Sequence, residues 1–68
     1  MKYVIKAFTY NGQFYGYAAD HPDEPGLPYY DDRIANAKRF NTYADADNYI
    51  DRFTDTSELE FIIIETKD

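Results

Sequence analysis

The stretch Ala37–Phe53, AKRFNTYADADNYIDRF, constrains the fold more than any other part of the chain, because its pattern is typical of a short strand that runs into a capped amphipathic helix. The Thr42 hydroxyl is placed to accept hydrogen bonds from the free N–H groups of the first turn, and Asp45, three residues later, completes a capping-box spacing. The helix is therefore predicted to begin near Tyr43 and to end in the polar run of residues 54–57. Its buried side, at three- and four-residue spacing, consists of Tyr43, Ala46, Tyr49, Ile50 and Phe53.

Two further features predict that this helix packs on a sheet. Lys38–Phe40 is predicted as the short strand that precedes it, and Phe40 is placed to pack back against the helix and fix its entry angle. A helix of about three turns is not stable by itself, so its stability must come from packing its apolar side against strands.

The N-terminal segment predicts a β-hairpin. Tyr3–Tyr10 and Gln13–Ala19 alternate and are rich in β-branched and aromatic residues, and Asn11-Gly12 between them is typical of a type I′ turn. A two-residue turn fixes the register of the strands. The predicted opposed pairs are Tyr10 with Gln13, Phe8 with Tyr15, Lys6 with Tyr17, and Ile5 with Ala18.

This register gives the hairpin two different faces. The first has small residues in its middle, which would let a helix approach closely, so it is assigned to the helix; it consists of Tyr3, Ile5, Ala7, Thr9, Phe14, Gly16 and Ala18. The second is far too aromatic for an ordinary solvated face. It consists of Val4, Lys6, Phe8, Tyr10, Gln13, Tyr15, Tyr17 and Ala19.

Two segments complete the chain. Asp20–Asn36 contains all three prolines and is predicted as a long loop with room for a helical turn near Asp32–Ala37. Leu59–Thr66, LEFIIIET, is predicted as the last strand, with apolar residues on both of its faces. We expect this strand to be central in the sheet or at an interface, because an exposed edge with such a run invites aggregation.

The predicted fold is a single α+β domain over residues 1–68, a two-layer sandwich of order β-β-loop-β-α-β with one helix on a small antiparallel or mixed sheet. The second sheet face stays uncovered, and its apolar patch of Val4, Phe8, Tyr15, Tyr17, Ile62 and Ile64 exceeds what soluble monomers usually expose. We expect a partner protein, a second copy of the chain, or the loop at residues 20–36 to cover it. The predicted interface residues are Lys6, Phe8, Tyr10, Tyr15, Tyr17, Ile62 and Ile64.

Composition narrows the range of functions. The chain has no cysteine, which excludes disulfides and thiolate metal sites and favours a cytoplasmic location. It has no secretory signal pattern and no apolar run approaching the roughly 20 residues of a membrane span. Its formal charge of −6 repels phosphate backbones, so nucleic-acid binding is not expected and a basic protein is the favoured partner.

Motifs for catalysis or metal binding are weak or absent. Asp20–Glu24, DHPDE, places four potential ligands close together, but a lone histidine lacks zinc spacing and the EF-hand glycine and terminal glutamate are missing. A solvated acidic loop is the favoured interpretation. The sequence also has no nucleophile elbow, phosphate-binding glycine loop or Cys/His pair, so we expect no enzyme, no catalytic residue and no cofactor.

Two other functions stay open. One is mimicry of nucleic acid by an acidic surface that inhibits a host nuclease or defence protein, although a solubilising charged face accounts for the same residues. That surface would consist of Asp20, Asp23, Glu24, Asp31, Asp32, Asp45, Asp47 and Asp51. The other is stacking of single-stranded bases on the aromatic face beside Lys6, although the chain lacks the basic groove of such proteins.

Three segments, MKYVIKA, NGQFYGY and AKRFNTYADADNYI, resemble the short uncharacterised proteins of bacteriophages and prophages. Those proteins pair an N-terminal "YVIK…NG.YY" hairpin with an "AK.F.T…A..YI" strand-helix and a final apolar strand. The resemblance covers nearly the whole chain except the proline-rich loop, and it implies a phage or mobile-element origin and no activity. Together with the composition, it leads us to expect a small acidic, non-enzymatic module that acts by occupying a host protein.

Overall fold

A computed structural model describes residues 1–53 and 59–67, which form one four-stranded sheet with a helix packed on one side. The strands are β1 (Lys2–Thr9), β2 (Phe14–Asp20), β3 (Pro28–Asp31) and β4 (Leu59–Thr66), and the helix α1 spans Tyr43–Phe53. The strand order is β3-β2-β1-β4, and every neighbouring pair is antiparallel. The predicted α+β sandwich with one helix is confirmed, and the sheet is antiparallel rather than mixed.

The turn between β1 and β2 differs from the predicted type I′ turn. The Gly12 N–H donates to the Thr9 carbonyl at 2.9 Å, and the Thr9 N–H donates to the Gln13 carbonyl at 2.8 Å. Residues 10–12 therefore form a three-residue loop in which Gly12 takes a φ of 89° and Asn11 keeps a negative φ. This is a type I turn closed by a glycine bulge, which needs only one left-handed residue. Thr9 faces Gln13, and the predicted pairing of Tyr10 with Gln13 is wrong.

A β-bulge at Tyr15 then shifts the register back. Phe8 faces Phe14 and Ala7 faces Gly16, which leaves Tyr15 as the extra residue of β2. The longer turn moves the register by one residue and the bulge reverses that shift, so the predicted pairing of Lys6 with Tyr17 is confirmed. Between turn and bulge the prediction is wrong. Phe14, not Tyr15, lies opposite Phe8, and these two aromatic side chains exchange faces.

The sheet forks where β1 and β2 separate beyond the Lys6–Tyr17 pair. The Lys38 N–H donates to the Ala18 carbonyl at 2.8 Å, and the backbones of Phe40 and Tyr3 exchange two hydrogen bonds of 2.9 Å. The predicted strand Lys38–Phe40 is thus reduced to a single bridge to Tyr3 inside this fork. Because Lys38 occupies the Ala18 carbonyl, the predicted ladder pair between Ile5 and Ala18 does not form.

The helix begins as predicted. The Thr42 side-chain oxygen accepts a hydrogen bond of 3.0 Å from the Asp45 N–H, which confirms the N-cap. The Phe40 ring lies 5.1 Å from the Tyr49 ring, so Phe40 does pack back against the helix. Tyr43 was predicted to be buried but is 58% exposed, and its ring packs edge-to-face with that of Tyr3 at a centroid distance of 6.2 Å. The predicted helix end at residues 54–57 and the predicted burial of the Phe53 side chain lie outside the described part.

The core fills the space between the helix and the sheet. Its fully or almost fully buried members are Ile5, Ala18, Phe40 and Ala46. Partly buried side chains from β1, β3, β4 and the helix pack around them, namely Tyr3, Tyr30, Tyr49, Ile50, Phe61 and Ile63. The assignment of the first hairpin face to the helix is confirmed at Ile5 and Ala18.

Two predictions about the sheet edges need correction. The segment 20–36 is not only a loop, because Pro28–Asp31 pairs with β2 as the edge strand β3, whereas the helical turn predicted near Asp32–Ala37 is confirmed as a 3-10 turn at Ile34–Asn36. Its strand β3 extends the sheet sideways. Val4 and Ala19, predicted on the uncovered second face, are only 0% and 3% exposed, so the prediction that Val4 is part of an exposed patch is wrong. Nor is β4 central: within residues 1–53 and 59–67 it pairs with β1 alone and forms the opposite edge. β1 takes the interior position because Val4, Ile5 and Ala7 are completely buried, whereas β4 alternates between half-buried and exposed residues.

Candidate binding face

The sheet surface opposite the helix carries six side chains that we call the open face: Lys6, Phe8, Phe14, Tyr17, Ile62 and Ile64. The register places them together. Lys6 lies between Tyr17 on β2 and Ile62 on β4, and Phe8 pairs with Phe14. Residues directly opposite each other in antiparallel strands share one face, so these side chains form a continuous band across three strands.

Three aromatic rings form the centre of the open face. The ring centroids of Phe8 and Phe14 are 5.8 Å apart, and those of Phe14 and Tyr17 are 5.2 Å apart, both in edge-to-face geometry. Such pairs add about 0.5–1.5 kcal/mol beyond their burial. Phe14 is still 45% exposed, so the cluster is ordered by its own contacts and keeps apolar area accessible to a partner.

Lys6 is the charged residue within this aromatic cluster. Its ammonium nitrogen lies 5.9 Å from the centroid of the Phe14 ring and 6.0 Å from that of Tyr17. A cation at this distance is attracted by the ring quadrupole. Lys6 as a whole is half-buried, as is common for a lysine whose aliphatic stem lies along apolar neighbours.

The structure brings together five of the seven predicted interface residues, namely Lys6, Phe8, Tyr17, Ile62 and Ile64. Tyr15 does not join them, because the bulge turns it to the helix side, where its ring lies 5.1 Å from that of Tyr30. Tyr10 belongs to the turn and is 82% exposed there. The prediction missed Phe14. The signal that could have found it is Gly16, since an isolated glycine inside a strand pattern often marks a bulge.

The acidic residues of the helix do not all share one surface: Asp47 and Asp51, four residues apart, lie on one flank, and Asp45 lies on another. Asp45 lines a polar hollow together with Arg39 and Arg52. Asp47 lines a different hollow beside Ile62, on the other flank of the helix. A separation of two residues along a helix turns a side chain by about 200°, which accounts for this division. The third helix carboxylate, Asp51, is exposed.

The acidic residues of the segment 20–36 have local roles. Asp20 forms an ion pair with Lys38 at 3.0 Å. The Asp31 carboxylate accepts hydrogen bonds from the Arg33 N–H at 2.9 Å and from the Asn36 amide at 3.2 Å, which holds the turn after β3. The predicted acidic surface is thus interrupted by basic side chains and partly used in turns. Its remaining members, Asp23, Glu24 and Asp32, are exposed.

His21 organises the DHPDE segment through its ring nitrogen. Its Nδ1 accepts hydrogen bonds from the backbone N–H groups of Asp23 at 3.1 Å and Glu24 at 2.9 Å, and its ring lies 5.4 Å from that of Tyr29. These contacts make His21 a cap for the turn through one of its two ring nitrogens. Within residues 1–53 and 59–67, His, Asp and Glu side chains form no group of three arranged to hold a metal ion.

The interior offers little room for a ligand. A cavity of about 10 Å³ lies between β3 and the helix, lined by apolar groups including Ile5, Tyr30 and Tyr49. That volume is about what a single water molecule needs. Burial raises the pKa of the Tyr30 hydroxyl, with a further contribution from Tyr15, and burial also raises the pKa of Tyr49 against the opposing effect of Lys38. Both hydroxyls are therefore kept in their neutral form.

Comparison with known proteins gives no relative: no family model, curated protein or solved structure matches the chain. The one helix in the described part of the chain is too short and too polar to cross a membrane.

Proposed function

We propose that this protein is a small, non-enzymatic binding module that occupies another protein through its open face. The observation that carries the proposal is the band of half-exposed aromatic and aliphatic side chains around Lys6, opposite the helix. The centres of protein interfaces are enriched in aromatic side chains, as the open face is at Phe8, Phe14 and Tyr17. The resemblance to phage proteins supports a host protein as the target.

The open face also suggests the chemistry of the partner. Its centre requires an apolar surface with an acceptor for the Lys6 ammonium group. Its rim carries Glu60, which lies opposite Phe8 on β4, and the whole chain has a formal charge of −6. We therefore infer a partner with an apolar patch and a basic surround, since such a surface is attracted over long range by the acidic chain.

Single-stranded nucleic acid fits this face less well. The rings of Phe8, Phe14 and Tyr17 pack edge-to-face against one another, so they do not present parallel platforms for successive bases. Lys6 provides the open face with its one positive charge, whereas strand binders combine stacking with a basic groove. The protein partner therefore remains the better-supported function.

The bulge provides a matched pair of variants to test the proposal. Phe14 and Tyr15 are adjacent and similarly exposed, at 45% and 53%, but they lie on opposite sides of the sheet. The immobilised chain would be used to capture proteins from a bacterial lysate, and the affinity of an identified partner would then be measured by calorimetry. We expect Phe14→Ser to weaken binding at least about tenfold, because a buried phenylalanine contributes about 1.5–3 kcal/mol. Tyr15→Ser should change it little.

Other outcomes would redirect the proposal. Equal losses from Phe14→Ser and Tyr15→Ser would mean that the open face is not the contact surface. Binding that is competed by DNA and weakened by Asp45→Asn and Asp47→Asn would favour nucleic-acid mimicry instead. Turnover of a small-molecule substrate by the purified protein would contradict a pure binding role.

A further inference from the structure

The two edges of the sheet are protected very differently. β3 is four residues long and starts with Pro28, two features that discourage pairing with another strand. β4 is eight residues long, has neither proline nor lysine, and follows β1 without a bulge from Leu59 to Thr66. Within the described residues, no strand pairs with its outer side. β4 is thus a long, regular and mostly apolar edge.

The backbone groups on this outer side can be identified from β1. Tyr3 directs its N–H and C=O to Phe40, away from β4, so the alternate residues of β1 starting at Lys2 direct theirs towards β4. Their partners on β4 are Glu60, Ile62, Ile64 and Thr66. The remaining residues of β4 therefore direct their N–H and C=O groups outwards. These are Leu59, Phe61, Ile63 and Glu65.

The side chains along the same edge leave a hollow between the helix and β4. A surface hollow of about 430 Å³ lies between the helix and β4, lined by Tyr43, Asp47, Ile50, Phe61, Ile62 and Ile63. It combines residues from both faces of β4, so it wraps around the outer side of the strand. Ile62 at its rim is 51% exposed. Apolar side chains and unpaired backbone groups therefore coincide at this edge.

We propose that β4 pairs antiparallel with β4 of a second copy, about a two-fold axis that passes between the two Ile62 residues. The outward residues are spaced symmetrically about Ile62, so each finds a partner. Phe61 exchanges backbone hydrogen bonds with Ile63 of the second copy, and Leu59 does so with Glu65 of the second copy. Any extended strand offers backbone groups at this spacing, and a second copy adds side chains that match the edge about the same two-fold axis.

The side chains agree with this register. Ile62 meets Ile62 of the second copy, and Glu60 lies opposite Ile64, so no two carboxylates are directly opposed. A register centred on Ile63 would place Leu59 opposite Lys67, beyond the end of the strand. The two sheets join into one, with both helices on one side and both open faces on the other. This pairing does not depend on the proposed function, although it would give a partner two adjacent open faces.

A cysteine scan tests the register directly, because the chain has no cysteine of its own. The two Ile62 residues form a non-hydrogen-bonded pair with Cα atoms about 4.5 Å apart, which a disulfide can bridge. Ile62→Cys should therefore convert to a covalent dimer under mild oxidation. The matched control Ile64→Cys should not, since its two copies are four residues apart along the strands, or about 13 Å. Cross-linking only in a mixture of the two variants would overturn the Ile62-centred register.

A second pair of variants tests the backbone contact without changing the open face. Glu65→Pro removes an outward N–H, whereas Glu65→Ala removes the same side chain and keeps the N–H. Sedimentation over a range of concentrations should show a dimer for the natural chain and for Glu65→Ala. Glu65→Pro should dissociate at least about tenfold more readily, since symmetry removes a hydrogen bond at two places. A monomer at all concentrations for the natural chain, or equal dissociation of the two variants, would refute the proposal. Circular dichroism would verify that both variants fold.

Discussion

Replacing Gly16 with alanine tests whether the bulge and the adjacent edge strand depend on a residue without a side chain. Gly16 has a φ of 152°, a conformation that residues with a Cβ rarely adopt. An added Cβ would lie 3.1 Å from the Tyr30 Cβ, 3.3 Å from the Asp31 carbonyl oxygen and 3.4 Å from the Asp31 nitrogen. These neighbours belong to β3 at or next to its backbone, so no side-chain rotation can relieve the contact.

The expected loss of stability combines two effects. Backbone strain of this kind costs about 1–3 kcal/mol, and overpacking against a fixed neighbour adds about 1–3 kcal/mol. A domain of this length is stable by about 3–10 kcal/mol, at roughly 0.05–0.15 kcal/mol per residue. Gly16→Ala should therefore remove a large part of the free energy of unfolding and lower the melting temperature by at least about 10 °C.

Gly12 provides the control for this substitution. It also has a positive φ, of 89°, but no atom lies within 4 Å of the position of an added Cβ. Gly12→Ala should cost only the left-handed strain, about 1–2 kcal/mol. The assay is urea unfolding of both variants, followed by circular dichroism and tyrosine fluorescence. A cost for Gly16→Ala that is equal to or below that of Gly12→Ala would refute the contact with β3.

Three further outcomes are expected. Thr42→Ala should lower the free energy of unfolding by about 1 kcal/mol, because alanine removes the acceptor for the Asp45 N–H. Thr42→Ser keeps that acceptor and should leave the free energy of unfolding unchanged. Thermal unfolding of the two variants measures the difference. The free energy of unfolding should fall as the pH rises above the ordinary tyrosine pKa of 10.0. The pKa values of Tyr30 and Tyr49 are raised in the folded chain, so the unfolded chain loses these protons at a lower pH than the folded chain does. Urea titrations at several pH values should show a smaller fall for Tyr30→Phe. Added salt should tighten the β4 dimer, since it screens the repulsion between two chains of charge −6; sedimentation that shows looser dimers in salt would contradict this.

Local patterns in the sequence predict the helix well and the hairpin only partly. Thr42, Ala46 and the spacing of the apolar residues determine α1 because capping and amphipathic packing act over a few neighbouring residues. The hairpin register depends on a choice between turn types of similar energy. Asn11-Gly12 is compatible with a two-residue turn, but the three-residue loop becomes favourable when a bulge at Tyr15 restores the pairing further on. A local pattern does not reveal that compensation.

The placement of edges and the composition of the open face depend on long-range contacts. β4 has the most apolar sequence of the strands, yet β1 is central. β1 buries residues on both of its faces, and it lies between β4 on one side and β2 with Phe40 on the other. Likewise, Tyr29 and Tyr30 gave no strand pattern of their own, and pairing with β2 makes β3 a strand. Five of the predicted interface residues lie on one side of the sheet as expected, because their alternation lies outside the bulged segment. Phe14 was missed because the bulge reverses its face.

The central position of β1 affects the order in which the fold can assemble during synthesis. β1 is made early, and the hairpin with β2 can close while only local contacts are available. Its other side must wait for β4, which follows all other elements and pairs Lys2 with Thr66 at the far end of the register. Pairing over such a distance in sequence slows folding, because a long loop must close before β1 and β4 can make contact. On the ribosome, the nascent chain would therefore expose one side of β1 until β4 emerges, and that interval is where chaperones or premature association would act.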